Sequence, residues 1–289
     1  MKDIGLKNGR SFILKIRYLG TAAAEGWPAL FCNCKNCREA AKHGGKNIRT
    51  RSQGLIDESL LVDFPPDTYL HMLRDGLQLP SIHSVIVTHS HQDHFYPLDL
   101  ALRSPVFAHN MDGCLTVYGN DAVKASWESG LSFLETDADA LKKFVRFREI
   151  EPYRPFQAEG CEVTALPALH KRTEKCYIYS VRRDGKSLLY ANDTGIPPAE
   201  TLEYLRGRHF DLVSMDCTMQ QIPDGKNHMG IRDNIVLRDL LEQRGCVDSG
   251  SRFILTHFSH NGGLLHEEME KRVGKLGFQV AYDGLTVEF

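Results

Sequence analysis

The chain has 289 residues, of which 42% are hydrophobic and 25% charged, as in folded globular proteins and unlike disordered ones. Its 35 Lys and Arg residues against 37 Asp and Glu residues give a formal net charge of −2, which argues against general nucleic-acid binding. No run of about 18 apolar residues is present, so the sequence predicts no membrane span. The early apolar stretch is interrupted by Lys15 and Arg17, too soon for the core of a signal peptide, so we expect a cytoplasmic protein. In that compartment, clustered cysteines indicate metal chemistry rather than disulfides.

Short β-rich runs alternate with helical stretches along the whole chain. We predict helices at 121–131, 198–206, 232–244 and 264–276, and strands at 12–19, 60–64, 84–88, 163–166, 175–181, 186–190, 211–215, 252–256, 278–282 and 285–289. Asp184-Gly185 predicts a tight hairpin, and Asp283-Gly284 predicts that the last two strands pair with each other. Hairpins mixed with crossing helices indicate a layered α/β fold with mixed sheets, which we assign to a single domain over 1–289.

The strand at 84–88 runs into the segment Thr88-His89-Ser90-His91-Gln92-Asp93-His94, which offers four metal ligands within six residues. In an extended chain His89 and His91 project to the same side and can reach one ion. Asp93 and His94 follow where the chain must turn, so they can face a second ion. Imidazole nitrogen suits zinc, manganese or iron, and a carboxylate can bridge two cations. The segment therefore predicts a centre for two divalent metals.

Three later residues follow predicted strands in the same way: His170, Asp193 and His257. Each alone is as well explained by a structural histidine or a turn aspartate. Side chains at strand ends on one edge of a sheet can converge on a common site, so their shared placement favours a role as further metal ligands.

A separate cluster places Cys32, Cys34 and Cys37 within six residues, inside a cysteine-rich segment at about 26–50. Thiolates at this spacing can bind one zinc ion, and a closed structural site needs a fourth ligand. Two candidates remain open from the residues alone. His260 lies three positions after His257, whereas His43 lies six positions after Cys37.

The order of the histidine and aspartate residues resembles that of the metallo-β-lactamase fold family of binuclear hydrolases. The resemblance implies a four-layer αββα sandwich with two metals at the edge of the paired sheets. It implies a first metal held by His89, His91 and His170, a second held by Asp93, His94 and His257, a bridging Asp193, and an Asp63 that braces the ligand loop. The set contains no cysteine, which departs from β-lactam-cleaving enzymes with a cysteine ligand and resembles the phosphodiesterase branch.

A narrower resemblance covers roughly residues 17–289. The stretch 19–28, the cysteine cluster, Asn192-Asp193-Thr194, Met215-Asp216-Cys217, Asn227-His228 and 254–260 are similar to the phosphodiesterase family of the carbon–phosphorus lyase pathway (the PhnP type). That family implies a structural zinc on the three cysteines and His260, which favours His260 over His43. The coenzyme-PQQ biosynthesis branch has a similar cysteine cluster but tends to lose catalytic ligands, and here the set is complete.

We therefore expect a hydrolase that cleaves small phosphodiesters, of the cyclic nucleotide or cyclic ribose phosphate type, with a hydroxide activated by two divalent ions (zinc, manganese or iron). Asp93 is predicted to orient the hydroxide, and His228 to act as the general acid. Two basic groups are candidates for phosphate contacts: Lys171 with Arg172, and Lys46 with Arg49 and Arg51. The expected partner is the small-molecule substrate alone, with a homodimer possible.

Three other functions stay open, and the first of them shares this ligand order. An endoribonuclease of the tRNA 3′-end type would need a basic arm for tRNA, and the sequence has no Gly- and Lys-rich excursion. A lactone or thioester hydrolase stays open because binuclear sites also activate water for attack on carbonyls. A non-hydrolytic cofactor-biosynthesis protein predicts missing ligands, and none is missing.

Overall fold

A computed structural model describes residues 13–132, 138–222 and 226–289. Fourteen strands occur in these residues: β1 (Lys15–Gly20), β2 (Gln53–Ile56), β3 (Leu60–Val62), β4 (Ser84–Ile86), β5 (Leu115–Gly119), β6 (Val145–Glu149), β7 (Phe156–Ala158), β8 (Cys161–Pro167), β9 (Tyr177–Arg183), β10 (Lys186–Ala191), β11 (Leu212–Asp216), β12 (Arg252–Thr256), β13 (Phe278–Val280) and β14 (Thr286–Glu288). They form two seven-stranded sheets, in the orders β14-β1-β2-β3-β4-β5-β6 and β13-β12-β11-β10-β9-β8-β7.

Both sheets are mixed. The run β3-β4-β5-β6 is parallel in the first sheet, and the run β10-β11-β12-β13 is parallel in the second. The remaining neighbours in each sheet pair antiparallel. The helices connect and cover these strands: α1 (Lys35–His43), α2 (Thr68–Asp75), α3 (Asp121–Ser132), α4 (Ala138–Leu141), α5 (Ala199–Leu205), α6 (Ile231–Gln243) and α7 (His266–Val273).

Three apolar cores separate the layers. Tyr18, Tyr179 and Tyr190 are fully buried in a core contributed by strands of both sheets. On the outer face of the first sheet, Trp127 of α3 packs in a core with strand residues such as Val85. On the outer face of the second sheet, α5, α6 and α7 pack over β11 and β12. The predicted αββα sandwich is confirmed, since each amphipathic helix buries its apolar side against the sheet beside it.

The hairpin predicted at Asp184-Gly185 is confirmed. Lys186 pairs with Arg183, and both turn residues have positive φ (49° and 82°), as a two-residue type I′ turn requires. The predicted pairing of the last two strands is wrong, because β13 pairs with β12 in the second sheet and β14 pairs with β1 in the first. The segment between them crosses from one sheet to the other. The side chain of Asp283, only 5% exposed, holds that crossing by accepting hydrogen bonds from the backbone and hydroxyl groups of Thr50.

The predicted helices are found with small shifts at their ends. The helix expected from 264 begins at His266, because the side chain of Glu268 accepts from the backbone N–H of Leu265 and caps the first turn there. Its last turn, 274–276, is a 3-10 helix. None of the helices over 13–132, 138–222 and 226–289 is both long and apolar enough to cross a membrane.

Candidate metal centre

The candidate metal ligands lie where strands end, at one common edge of the two sheets. Asp63 follows β3, the 89–94 segment follows β4, and His170 follows β8. Asp193 follows β10 and His257 follows β12. These five strands present their carboxyl ends to the same edge, so residues distant in sequence meet there. The structure brings together all seven residues that the sequence predicted for the catalytic pair of metals.

The segment after β4 turns sharply, because the backbone N–H groups of His94 and Phe95 both donate to the carbonyl of His91. This turn separates the two pairs of ligands. His89 and His91 lie on one side, with Nε2 of His89 2.9 Å from Nδ1 of His91. Asp93 and His94 lie on the other, with Oδ2 of Asp93 3.2 Å from Nε2 of His94.

Two groups of four donors result, and they share Asp193. The first comprises His89, His91, His170 and Asp193, and the second comprises Asp93, His94, Asp193 and His257; within each, the donor atoms lie within 4.8 Å of one another. Oδ2 of Asp193 is 3.2 Å from Nε2 of both His89 and His94, 3.3 Å from Nε2 of His170 and 3.9 Å from Nε2 of His257. One carboxylate oxygen therefore faces both groups, as the bridging assignment requires.

Hydrogen bonds on the outer side of the site orient the rings of His89 and His94. The hydroxyl of Thr88 donates its only proton to Asp63 (2.9 Å), so its oxygen accepts from Nδ1–H of His89 at 3.0 Å. Nδ1–H of His94 donates to Oδ2 of Asp63 at 2.7 Å. The scaffold therefore holds Nδ1 of both rings, and Nε2 of each ring faces the interior of the site.

The other two tethered histidines follow the same rule. The hydroxyl of Thr218 donates to Asp216 (2.8 Å) and so accepts from Nδ1–H of His257 at 2.7 Å. Nδ1–H of His170 donates to the backbone carbonyl of Asn227 at 3.2 Å. Nε2 of His94 and Nε2 of His257 then lie 3.2 Å apart on the inner side of the site. Nitrogen and carboxylate donors that converge at this spacing need protons or cations between them, so the donor set fits divalent metal ions.

The ionisation of the site agrees with metal binding. Burial alone would raise the pKa of Asp193, but His257 and hydrogen bonds from His228, His89 and His94 hold it well below its usual value. Asp93 behaves likewise, since His94 outweighs the effect of burial and lowers its pKa. Burial lowers the pKa of His170 to about 4 and also lowers that of His91, so both imidazoles are neutral. Ionised carboxylates and neutral imidazoles are the forms that bind metals. His94 differs, because Asp93 and Asp63 outweigh burial and raise its pKa well above the usual value, so a metal ion would bind there in place of a proton.

Three residues of the site have left-handed backbones that non-glycine residues rarely adopt. The φ angles are 65° at Asp63, 51° at Asp193 and 62° at His257. Each residue immediately follows a strand or stands two positions after it. Such conformations cost free energy and persist where the surrounding structure holds them, commonly at functional sites.

A third group was only partly foreseen from the sequence. His228, the predicted general acid, lies beside the shared carboxylate, with Nδ1 3.0 Å from Oδ1 of Asp193 and 3.5 Å from Oδ2 of Asp216. Burial would lower the pKa of His228, but hydrogen bonds to these two carboxylates raise it to about 11. Sequence reasoning gave no role to Asp216, Thr218 or Thr88, although their hydrogen bonds orient three of the histidines. Their position directly after strands was the available signal.

The cysteine cluster is assembled with His260 and not with His43. Cys32, Cys34, Cys37 and His260 place their donor atoms within 4.8 Å of one another, with Nδ1 of His260 3.4 Å from Sγ of Cys34. A hydrogen bond from the backbone N–H of Cys37 lowers the pKa of Cys34 to about 6, which favours the thiolate. His43 instead faces the carbonyl of Glu39, in an exposed position at the end of α1.

The basic residues considered as phosphate contacts are mostly engaged elsewhere. Arg51 is paired with Asp67 at 2.9 Å, and Lys46 lies over the ring of Tyr282. Arg49 is buried, where it donates to Thr21 and to the carbonyl of Ala281. The expectation that this trio binds substrate phosphate is therefore not supported. Of the second candidate group, Lys171 is paired with Glu174 and Arg172 is exposed.

Comparisons with known proteins place this geometry in context. The chain is 26% identical over 272 residues to an octanoyltransferase of Porphyromonas gingivalis, covering 92% of this chain but spanning only half the length of that relative. It is 25% identical over 320 residues to coenzyme PQQ synthesis protein B of Acinetobacter baylyi, covering 94% of this chain and 99% of the relative.

Among solved structures, a diphosphatase of the PhnP family matches with a TM-score of 0.75 and 23% identity, covering 96% of this chain and 98% of that one. At that identity the match establishes a shared fold. The family model of the beta-lactamase superfamily domain matches residues 60–258, which is more than half of the chain. This range contains every member of the two groups of four donors. The chain therefore belongs to the beta-lactamase superfamily.

Proposed function

We propose that the protein is a metal-dependent hydrolase of small phosphodiesters, of the cyclic nucleotide or cyclic ribose phosphate type. One observation carries the proposal: four imidazoles, each held by the scaffold through Nδ1, direct their Nε2 atoms at a volume shared with Asp193. The match to a diphosphatase of the PhnP family supports phosphate as the substrate chemistry.

Two divalent ions bound here would supply water of lowered pKa and electrostatic stabilisation of charge on phosphoryl oxygens. Zinc, manganese and iron all suit imidazole and carboxylate ligands. His89, His91 and His170 would hold one ion, Asp93, His94 and His257 the other, and Asp193 both. Asp93 is ionised and can accept a hydrogen bond from the attacking water, which gives it an orienting role besides ligation.

His228 is proposed to donate the proton that the leaving oxygen needs. Its side chain is 25% exposed, and it borders His170 with ring centroids 5.0 Å apart, so it lies at the accessible side of the site. Oδ2 of Asp216 lies 3.5 Å from its Nδ1, and this carboxylate stabilises the imidazolium form. Cations bound to Asp193 would oppose the upward pKa shift and bring His228 closer to the neutral pH at which it must donate.

The surroundings of the site favour a small substrate. Lys171 is paired with Glu174, and the Lys46, Arg49 and Arg51 trio is engaged in structural contacts, so Arg172 is the one exposed residue that remains of the two basic groups considered. A phosphodiester would be held mainly by the metals, as a compact substrate allows. This arrangement does not favour a tRNA precursor, whose long backbone needs many cationic contacts.

The test uses a chromogenic aryl phosphodiester, a cyclic nucleotide and a lactone as substrates for the same metal-loaded preparation. We expect hydrolysis of the phosphodiesters in preference to the lactone, and loss of that activity in His89→Ala and after chelation. Full phosphodiesterase activity in metal-stripped protein would overturn the proposal. Faster hydrolysis of the lactone would instead assign the site to carbonyl substrates.

A second candidate is a non-hydrolytic role in cofactor biosynthesis. It is favoured by the 25% identity to coenzyme PQQ synthesis protein B over nearly the whole of that relative. The complete set of seven His and Asp donors speaks for hydrolysis instead. Protein that binds two ions per chain but hydrolyses none of the three substrates would support this second candidate.

A further inference from the structure

Glu174 is a buried carboxylate that joins two of the ligand loops. Its side chain is 1% exposed. Oε1 accepts from the backbone N–H of Ser90 at 2.7 Å and from Nδ2 of Asn120 at 2.9 Å. Oε2 accepts from the hydroxyl of Ser90 at 2.7 Å and from Nζ of Lys171 at 3.1 Å. These four contacts satisfy both oxygens of a charge that is costly to bury alone.

The partners of Glu174 lie next to metal-ligand candidates. Ser90 stands between His89 and His91, and Lys171 follows His170. Asn120 ties the group to the scaffold, because its Oδ1 accepts from the backbone N–H of Val123 in the first turn of α3. A single side chain thus connects a loop of the first sheet, a loop of the second sheet and a helix.

We propose that Glu174 is a positioning residue that fixes the separation between the 89–91 loop and the His170 loop, and thereby the affinity of the three-histidine metal position. The inference rests on the metal centre of the proposed function. Glu174 does not contact the donor atoms themselves. It acts through Ser90 and Lys171, so its loss would let His170 move relative to His89 and His91 while every ligand remained present.

The chain offers a matched control in Asp211. This carboxylate also accepts from a lysine (Lys186, 3.0 Å) and from the backbone N–H and hydroxyl of a serine (Ser187, 2.8 and 3.1 Å). It lies just before β11, whereas the metal centre lies beyond the carboxyl ends of the strands. Asp211→Asn therefore reproduces the loss of the same contacts at the opposite end of the sheet.

Equilibrium dialysis against Mn²⁺, followed by elemental analysis, measures the affinity of each exchangeable ion in the wild type, Glu174→Gln and Asp211→Asn. Both variants are expected to lower the melting temperature of the metal-free protein. Only Glu174→Gln is expected to weaken one of the two ions, by about tenfold or more, as loss of supporting contacts around metal ligands does. Affinities within about twofold of the control would overturn the positioning role.

Glu174→Asp tests the same point if the glutamine variant does not fold. It keeps the charge but shortens the reach, so we expect a smaller loss for the same ion, and wild-type affinity would contradict the proposal. The wild-type result distinguishes failure of the proposed function from failure of the positioning role. A wild type without two exchangeable ions refutes the proposed function, whereas a wild type with two ions and unaffected Glu174 variants refutes only this inference.

Discussion

The two candidate metal sites are built in opposite ways. In the thiolate cluster, Cys32, Cys34 and Cys37 lie within six residues at the start of α1, and one distant histidine completes the set. At the sheet edge, seven donors come from loops after four strands that belong to both sheets. One site is mainly local in sequence, and the other exists only once both sheets have formed.

The supporting contacts differ as well. His89, His94, His170 and His257 each donate their outer N–H to an oxygen of the scaffold. In the thiolate cluster the outer nitrogen of His260 faces Glu25 at 3.7 Å, beyond hydrogen-bonding distance. Burial also raises the pKa of Cys37 to about 12, so its deprotonation depends on a bound cation. The fold therefore preorganises the sheet-edge site, whereas the thiolate site depends on its bound cation for its organisation.

The largest expected effect is that of Asp193→Ala. The variant removes the carboxylate that faces both groups of donors and leaves the tethered imidazoles in place. We expect loss of at least one exchangeable ion and a decrease in phosphodiesterase activity of about a thousandfold, the scale at which central electrostatic groups act. Elemental analysis and turnover measure this, with the thiolate-bound ion as internal control. Two exchangeable ions at wild-type affinity would contradict the bridging role.

His228→Ala is expected to lower kcat by about a hundredfold, the lower end of the contribution of a general acid, while both exchangeable ions remain. A leaving group of low pKa needs no proton, so the defect should shrink with an activated aryl ester. His209→Ala, at a 45% exposed histidine, is the control and should be unchanged. A His228 variant that loses an ion instead would show that this residue is a ligand.

Cys34→Ser removes a ligand of the thiolate site, the second of the two sites compared. We expect loss of the chelation-resistant ion and a decrease in melting temperature of roughly 10 °C, because a tightly bound ion contributes about 4 kcal/mol to the folded state. The sheet-edge site should keep its exchangeable ions, since its imidazoles are tethered independently. Cys114→Ser is the control. Retention of the resistant ion in Cys34→Ser would contradict the thiolate site.

Much of the sheet-edge site was predictable because its residues follow apolar strands. The carboxyl ends of β4, β10 and β12 identified where His89, Asp193 and His257 would meet. The supporting residues were harder to foresee, because Thr88, Thr218 and Glu174 act through hydrogen bonds whose partners are remote in sequence. Ordinary threonines and glutamates carry no pattern that distinguishes such roles.

The fold was predictable to a similar depth. Continuous apolar runs and the Asp-Gly turn located most strands of the second sheet. The pairing predicted for the last two strands was wrong, because Asp283-Gly284 is a typical hairpin turn. In the structure, Asp283 instead accepts a hydrogen bond from Thr50 where the chain crosses to the other sheet. Strands β2, β5, β6 and β7, and helices α1, α2 and α4, were not predicted, because such short elements offer too few residues to show a clear period.

The smallest effect concerns His71, which lies outside both sites. Burial, with Arg74 nearby, lowers its pKa to about 3. The folded state therefore keeps His71 neutral, while the unfolded chain takes up a proton below about pH 6.5, so stability present above that pH is lost as the pH falls toward 3. We expect the metal-free wild type to lose about 1.4 kcal/mol per pH unit in this window from His71.

Urea unfolding of the metal-free wild type and of His71→Gln at pH 7.5 and 5.5 checks this slope. The variant should lose less stability between the two pH values than the wild type. The His71→Gln variant also separates the acid sensitivity of the scaffold from that of the metal ligands. Equal losses in both proteins would contradict the assignment to His71.

The most direct test of the central claim is the number of ions that each chain binds. Protein loaded with Mn²⁺ and Zn²⁺, freed of excess metal and measured by elemental analysis before and after mild chelation, should hold three ions and then one, with phosphodiesterase activity lost on removal of the exchangeable pair. A chain with no exchangeable ions, or with full activity after their removal, would contradict the account.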